Sequence, residues 1–345
     1  MSMFRTVFTY AFIVLATASA LAAEKPKPAI RALLVTGGCC HDYDRQKLIL
    51  TRGISARAPV EWTVVHQGGK STNAKIPLYE DKDWAKGFDV VVHNECFAHV
   101  KDKAWVETIL RPHREGTAAV LIHCAMHCYR TGDDSWFEFV GVQSPGHGAH
   151  YGHKIEIQDK QHPITQGLSS WATEKGELYH TIKTFPDAHP IATAQRRDTG
   201  EPQVCVWTNK YGEGNVFATT IGHHNETMAD PAYLDMVTRG LLWSVGRIDD
   251  FHKADEAADA EIMKLIKAPI DKPSGQPTPA SSQCCGDGNL LTGKKASASS
   301  EESNKNNMIR HAIDGDLGTR WCASSAATNE WWQIDLAEPQ HVRSQ

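Results

Sequence analysis

Short runs of apolar, β-branched residues alternate with amphipathic segments along most of the chain between Ile30 and Val245. The apolar runs have the length of strands, and the segments between them carry apolar residues at helical spacing. The pattern predicts strands at 30–36, 60–66, 88–93, 117–123, 153–157, 190–193, 205–208 and 216–221. It predicts helices at 44–56, 104–115, 135–140 and 231–245.

Alternation of strands with helices is typical of a mostly parallel sheet that has helices on both faces. The runs at 88–93 and 117–123 are almost wholly apolar, as expected of strands buried on both faces. The predicted fold class is therefore α/β and flavodoxin-like. In such folds the functional residues lie beyond the carboxyl ends of the strands.

The two ends of the chain have a different composition. Arg5, an apolar run at 7–15 and the small residues Ala20 and Ala22 predict a signal peptide at 1–22. The run is too short to span a bilayer, so we expect export to the periplasm or the exterior without a membrane span. Residues 251–288 are predicted to be a charged surface helix followed by a linker rich in Pro, Ser and Gly.

Charge and cysteine content narrow the classes of partner. A formal net charge of −5 over 345 residues lacks the basic footprint of a nucleic-acid-binding protein. The nine cysteines are an odd number, so at least one is free or pairs with another chain. Cys39-Cys40 and Cys284-Cys285 are adjacent pairs, which are poor disulfide partners sterically, and we assign no bridge from the sequence.

Histidine is the outlier in the composition, with 16 of 18 residues between His41 and His252. Many of them fall at the ends of predicted strands, where open α/β sheets place their sites. The candidates are His41 after Gly38, the run His93-Asn94-Glu95, the run His123-Cys124 with His127, and downstream His150, Glu177, His223 and His224. We expect all of them at one rim of the sheet.

Two kinds of chemistry fit these residues. Neutral imidazoles with a carboxylate suit zinc or a similar divalent ion that keeps one position open for water or substrate. Alternatively, Cys124 at a strand-to-helix turn is a nucleophile, with His224 as its base and Glu226 as the orienting carboxylate. The glycine-flanked turn of such enzymes is missing around Cys124. A third possibility is that the histidines only satisfy strand-end carbonyls.

Taken together, the motifs resemble the ThuA-like (trehalose-utilisation) family. The matching segments, in order, are LVTGG at 34–38, HD at 41–42, AVLIHCA at 119–125, HPI at 162–164, ELY at 177–179, YGEG at 211–214, GH at 222–223 and GLLW at 240–243. The resemblance covers about 30–250. It implies a class I glutamine-amidotransferase-like fold and an association with the catabolism of oxidised (3-keto) glycosides.

The resemblance also implies a pocket. Carried over by position, its lining is His41, His123, Cys124, His150, Glu177 and His223. The chain departs from the commoner family pattern at Cys39-Cys40, at His93–Cys96 and at Met126–Cys128, which leaves the substrate open.

A second resemblance covers 289–345. NLL at 289–291, ASASS at 296–300, AIDGD at 312–316, TRW at 319–321 and WWQIDL at 331–336 resemble the discoidin, or coagulation-factor type C, domain. Complete modules are more than twice as long, so we expect a partial β-sandwich. The resemblance implies attachment to polysaccharide or cell-surface glycan, with a possible calcium ion near the Asp314–Asp316 turn.

The resulting hypothesis is an exported carbohydrate-processing enzyme that performs metal-assisted hydrolysis or elimination on a glycoside or keto-sugar. The predicted metal ligands are His41, His150 and His223. The predicted catalytic residues are Glu177, Cys124 and His224, and the predicted substrate contacts are Gly38, Asn94, His123 and His127. The alternatives are a metal-independent cysteine hydrolase and a non-catalytic sugar-binding protein.

Overall fold

The computed structural model describes residues 27–267 and, beyond them, the two short strands Lys295–Ala298 and Trp332–Asp335. The predicted signal peptide and the predicted linker at 268–288 lie outside the described residues. Contacts divide the chain into one compact unit at 1–268 and a second at 269–345. Within 289–345 the structure describes only these two strands, so the turn at Asp314–Asp316 with its predicted calcium ion lies outside the described residues.

The first unit is built on one nine-stranded sheet and a separate two-stranded ribbon. The strands are β1 (Ile30–Gly38), β2 (Val60–His66), β3 (Val90–Cys96), β4 (Ala118–Ile122), β5 (Val142–Gln143), β6 (Lys154–Ile157), β7 (Trp171–Ala172), β8 (Lys183–Thr184), β9 (His189–Gln195), β10 (Pro202–Tyr211) and β11 (Gly214–Thr219). The order in the large sheet is β2-β1-β3-β4-β11-β10-β9-β6-β7, and β5 pairs with β8.

Five adjacent strands, from β2 to β11, are parallel, and the strands beyond them are antiparallel. The helices are α1 (Tyr43–Ser55), α2 (Lys103–Arg114), α3 (Ser135–Val140), α4 (Asn225–Met228), α5 (Pro231–Ser244) and α6 (Glu256–Lys264). Short 3-10 turns occupy Pro77–Glu80, His123–His127 and Ile248–Asp250.

Side chains on alternate positions of β1 enter two different cores. Ala32 and Leu34 pack with α1, α5 and α6 on one face, while Leu33 and Val35 pack with α2 and α3 on the other. This two-residue period is what a strand covered on both faces requires. The predicted α/β, flavodoxin-like class, with a mostly parallel sheet and helices on both faces, is confirmed.

One strand boundary differs from the prediction in a way that moves functional candidates. β3 continues to Cys96 instead of ending at His93, because Gly38 and Gly37 of β1 pair with Cys96 and Glu95. His93, Asn94 and Glu95 are therefore strand residues that are almost fully buried. The expectation that they line the rim with the other histidines was wrong.

α6 is the helix that we expected on the surface after the last strand, and it packs against α1. α6 buries Ile262 against the core, and Asp259 Oδ1 accepts a 2.7 Å hydrogen bond from Arg57 Nη2. Arg57 is 1% exposed and also donates to Asp235 Oδ1 at 2.6 Å and to the Gly53 carbonyl at 3.2 Å. The ordered first unit thus includes α6.

In the second unit, β12 (Lys295–Ala298) pairs antiparallel with β13 (Trp332–Asp335). Lys295 lies opposite Asp335, and Ala298 lies opposite Trp332. Within the described residues of the whole chain, no helix has the length and apolar character needed to cross a membrane.

Candidate functional site

Glu177 is surrounded by histidine side chains from three separate loops. Oε2 lies 3.3 Å from His123 Nε2 and 3.2 Å from His223 Nδ1, and Oε1 lies 3.2 Å from His147 Nε2 and 3.0 Å from His150 Nε2. His123 follows β4, His223 follows β11, and His147 and His150 come from the loop between β5 and β6. One carboxylate therefore joins an inner and an outer pair of histidines, which we call the Glu177 cluster.

His41 extends the inner side of this cluster. It follows β1, and its ring centroid lies 4.7 Å from that of His123 and 4.8 Å from that of His223. Each of these three residues offers a ring nitrogen, and the three nitrogens lie within 4.8 Å of one another. His41 Nδ1 and His223 Nδ1 are buried without a hydrogen bond. Convergent imidazole nitrogens of this kind are typical of a transition-metal site.

His123 holds its ring through a backbone contact. Its Nδ1 lies 2.6 Å from the Thr220 carbonyl, which can only accept, so Nδ1 carries the proton. In the neutral ring this leaves the Nε2 lone pair directed at Glu177 and at the Tyr179 hydroxyl, 3.3 Å away. Metal-ligating histidines commonly donate their other N–H to a carbonyl in this way.

Burial keeps His41 and His123 neutral. It lowers the pKa of His41 to about 2, assisted by His123 and His223, and it also lowers the pKa of His123. Burial by itself would raise the pKa of Glu177, but hydrogen bonds donated by His123 and His223 to the carboxylate, and positive charge on those rings, lower that pKa below its usual range. An ionised carboxylate beside neutral imidazoles gives a donor set that suits a divalent cation.

The turn after β4 is an elbow whose first residue is His123. β4 ends at Ile122, and His123 has φ +51°, a left-handed conformation that side-chain-bearing residues adopt rarely. Strained strand-to-helix elbows present the nucleophile in hydrolases. Here the elbow presents an imidazole, and Cys124 stands one residue beyond it.

Cys124 is bonded to Cys96. His224 instead lies against His223 and His150, with ring centroids 4.3 Å and 5.7 Å away, and within 27–267 no hydrogen bond joins it to Cys124. The structure therefore does not assemble the Cys124–His224–Glu226 triad. A second disulfide joins Cys39 to Cys40, so the expectation that these adjacent cysteines are poor partners was wrong.

An open cleft of about 800 Å³ adjoins the inner histidines. Its lining includes Gly38, His41, His223, His224 and Glu226. Gly38 has φ +98°, and a Cβ there would lie 2.4 Å from the Cys96 carbonyl oxygen, so only glycine fits this floor position.

Asp42 ties two loops of the cleft together. It caps α1, accepts from Arg45 Nη1 at 2.7 Å, and accepts from Asn225 Nδ2 at 2.9 Å. Because Asn225 follows the two histidines of the β11–α4 loop, this bond fixes that loop relative to His41.

Two predicted substrate contacts do not reach the cleft. Asn94 is 3% exposed and donates to Thr36 Oγ1 at 3.4 Å and to Gln46 Oε1 at 3.3 Å. His127 is 6% exposed and stacks on Tyr179 with ring centroids 4.1 Å apart. Asn94 is buried within β3, and His127 packs against Tyr179, so neither residue lines the cleft.

Two members of the cluster were missed as site residues. His147 is in the Gly-His-Gly-Ala-His run that also supplies His150, and Tyr179 is two residues after Glu177. A bridge between His147 and Tyr179 aligns these two segments. Glu177 and Tyr179 are two residues apart, and in an extended chain this spacing places both side chains on the same side, which could have indicated Tyr179.

A second histidine–carboxylate cluster lies inside the molecule. His93 Nδ1 lies 3.0 Å from Glu95 Oε1, and His93 Nε2 lies 3.1 Å from His113 Nε2. Tyr79 and Tyr129 each donate a hydroxyl hydrogen bond of 3.1 Å to the same Glu95 oxygen. All five residues are at most 1% exposed, and we call them the Glu95 cluster.

Residues 31–244 match the ThuA family, which is described as trehalose utilisation. The match covers more than half of the chain. The chain belongs to the ThuA family.

The solved structures agree in fold. A ThuA-like protein from Parabacteroides merdae has a TM-score of 0.53 at 18% identity, over 64% of this chain and 90% of that chain. A ThuA-like protein from Bacteroides uniformis has a TM-score of 0.50 at 14% identity, over 65% of this chain and 94% of that chain. At these identities the likeness of this ThuA-family chain to them concerns the fold alone.

Residues 295–344 match the F5/8 type C domain, so the predicted discoidin resemblance is confirmed. Among curated proteins, none matches the chain.

Proposed function

We propose that this ThuA-family chain is an exported carbohydrate-processing enzyme that performs metal-assisted hydrolysis or elimination on a glycoside or keto-sugar. The observation that carries the proposal is the convergence of histidines from separate loops on one ionised carboxylate beside an open cleft.

The residues that would hold the metal are His41, His123 and His223. Their ring nitrogens are mutually close, and His41 and His223 have buried nitrogens that form no hydrogen bond. His150, predicted as a ligand, approaches the other oxygen of Glu177 and belongs to the outer pair. A bound divalent ion, zinc by preference, supplies Lewis acidity that polarises a carbonyl or activates water.

Glu177 is suited to move a proton. Its Oε1 faces His147 and His150, which are about one third exposed, whereas its Oε2 faces the buried side. A proton taken up by the carboxylate could thus pass through an outer imidazole to solvent. The outer histidines would also contact the substrate.

The F5/8 type C domain would attach the enzyme to polysaccharide or to a cell-surface glycan, with calcium as its ion. Modules of this family often bind carbohydrate. Export through the predicted signal peptide would place both domains where such polymers occur.

The first experiment is elemental analysis of the purified chain before and after chelation. We expect close to one divalent ion per chain, and we expect its loss in His41→Ala and His223→Ala. His189→Ala is the matched control, since His189 is exposed and pairs only with Asp159 and a neighbouring ring. A folded, metal-free wild-type protein would overturn the metal proposal.

Activity separates the proposal from the alternatives. Glycosides and their 3-keto derivatives should be turned over by the metal-loaded protein and not by Glu177→Ala. Binding of the same sugars without any turnover would instead indicate a sugar-binding protein. Turnover by metal-free protein that stops on alkylation of Cys124 would favour the cysteine hydrolase.

A further inference from the structure

Four cysteines meet where β1, β3 and the β4 elbow come together, and one of them, Cys40, lines the cleft. They form the bonds Cys39–Cys40 and Cys96–Cys124. Cys39 Sγ lies 3.7 Å from Cys96 Sγ, close to van der Waals contact between the two disulfides. The sulfurs of Cys39, Cys40 and Cys96 all lie within 4.8 Å of one another.

The two bonds differ in their access to solvent. Cys40 is exposed and Cys39 is half-buried, whereas Cys96 is 3% exposed and Cys124 is 9% exposed. A thiol from solution therefore reaches Cys40 first. The buried bond is approached by Cys39 from within the protein.

We propose that these cysteines are a second reactive site, a thiol–disulfide relay that takes a small-molecule or protein thiol as its substrate and opens the buried Cys96–Cys124 bond through Cys39. The proposal does not depend on the carbohydrate chemistry or on a metal.

The first exchange occurs at the exposed bond. A substrate thiolate attacks Cys40 Sγ and forms a mixed disulfide, and the electron pair of the broken Cys39–Cys40 bond leaves on Cys39. The Cys39 thiolate then attacks Cys96 Sγ. The Cys39–Cys96 bond forms, and Cys124 leaves and takes up a proton.

A second thiol completes the balance by attacking the mixed disulfide. It releases the oxidised substrate disulfide and leaves Cys40 as a thiol. In total, two substrate thiols lose two electrons and two protons, which appear as the thiols of Cys40 and Cys124. The protein keeps one disulfide, Cys39–Cys96.

The position of the relay links it to the histidines. Cys40 precedes His41 and Cys124 follows His123, and both histidines belong to the inner side of the Glu177 cluster. The proposed thiol–disulfide exchange therefore breaks the disulfide of the cysteine next to each of these two histidines. The other two cysteines in the described residues, Cys128 and Cys205, are buried and unbonded.

The test is disulfide mapping of the full chain during titration with reduced glutathione, followed by alkylation and trypsin digestion. Cys39 and Cys40 lie in the tryptic peptide 32–45, Cys96 in 87–101, and Cys124 in 115–130. We expect the link between 87–101 and 115–130 to be replaced by a link between 32–45 and 87–101. Alkyl groups should appear on Cys40 and Cys124 at the same step.

Cys39→Ser/Cys40→Ser removes both sulfurs that lie within 4.8 Å of Cys96 Sγ, so the Cys96–Cys124 bond should then need at least about tenfold more glutathione to open. Cys40→Ser leaves Cys39 as a free thiol, so the link between 32–45 and 87–101 should form without added thiol. Cys205→Ser is the matched control and should titrate as the wild type does, with folding checked by circular dichroism.

Two results would overturn the relay. One is a titration in which the link between 32–45 and 87–101 never forms in the wild type or in Cys40→Ser. The other is opening of Cys96–Cys124 at the same glutathione concentration in Cys39→Ser/Cys40→Ser as in the wild type.

Discussion

The Glu177 cluster and the Glu95 cluster contain the same residue types, but the first adjoins an open cleft and the second is buried in the core. Both contain a carboxylate and at least two histidines, but the Glu95 cluster is built on residues within β3, whereas the histidines of the Glu177 cluster come from loops that follow or connect strands. In the Glu95 cluster two tyrosine hydroxyls and His93 saturate one carboxylate oxygen. In the Glu177 cluster the imidazoles point at the carboxylate with lone pairs or unpartnered nitrogens.

The difference shows what separates a structural polar network from a site. In the Glu95 cluster His113 Nδ1 donates to the Thr117 carbonyl, so His93 donates to His113 Nε2, and all five residues are enclosed in the core. Glu95 Oε2 is buried without a hydrogen bond, so complete hydrogen bonding does not distinguish the two clusters. The Glu177 cluster instead adjoins an open cleft, and its outer histidines are about one third exposed, so a cation or a substrate can reach it.

Removing each carboxylate tests this contrast with the largest effect. Glu95→Ala should lower the free energy of unfolding by about 3–5 kcal/mol, because it leaves buried polar partners without their acceptor. Glu177→Ala should change it by about 1 kcal/mol or less while abolishing turnover. Urea denaturation of metal-free protein measures both. Equal losses of stability would show that the two clusters have the same role.

The second test uses pH and the Glu95 cluster. Burial lowers the pKa of His113 to about 3, below its ordinary value of 6.5, so the unfolded chain binds more protons than the folded one in between. Stability should therefore be full above pH 6.5 and fall as the pH drops toward 3, by about 2 kcal/mol between pH 6.5 and 5 for this residue.

His113→Gln removes the imidazole whose protonation in the unfolded chain opposes folding as the pH falls. Its stability at neutral pH should be lower, but its curve between pH 6.5 and 5 should be flatter than that of the wild type by about the same 2 kcal/mol. His189→Ala, an exposed histidine, supplies the matched slope. Parallel curves for His113→Gln and the wild type would contradict the assignment of His113 as a buried neutral ring.

The third test compares a tyrosine of the Glu95 cluster with Tyr179, whose substitution has the smallest expected effect. Tyr129→Phe removes a hydroxyl that donates to the Glu95 carboxylate and should cost about 1.5–3 kcal/mol. Tyr179→Phe removes a longer contact, 3.3 Å to His123 Nε2, and should cost under about 1 kcal/mol. Thermal unfolding of the two variants ranks them. A larger loss in Tyr179→Phe would mean that its hydroxyl is structural.

The periodicity of the sequence predicted the layers well because strand and helix periods depend on local burial. β2 and α3 were predicted with the bounds they have, and α1, α2 and α5 are within one residue at each end. The end of β3 was missed because its last residues are polar. Their partners, Tyr79, Tyr129 and His113, come from distant segments, so no local pattern shows that Glu95 is buried.

The candidate site was predicted in part for the same reason. Strand-end positions placed His41, His123 and His223 correctly at one edge, since the parallel strands β1, β4 and β11 end together. The local pattern could not show the distance from Cys124 to Cys96, nor that the elbow residue is His123. Both depend on how three strands are aligned rather than on any one segment.

Arg57 has a consequence for how this domain can be moved between proteins. The family match ends at residue 244, yet the buried guanidinium is bonded to Asp259 in α6 as well as to Asp235 in α5. A gene fusion or recombination event that joined a new partner at residue 244 would remove Asp259, which is one of the two carboxylates that pair with the buried Arg57. The portable unit therefore ends after α6, and natural or engineered shuffling should tolerate junctions only beyond it.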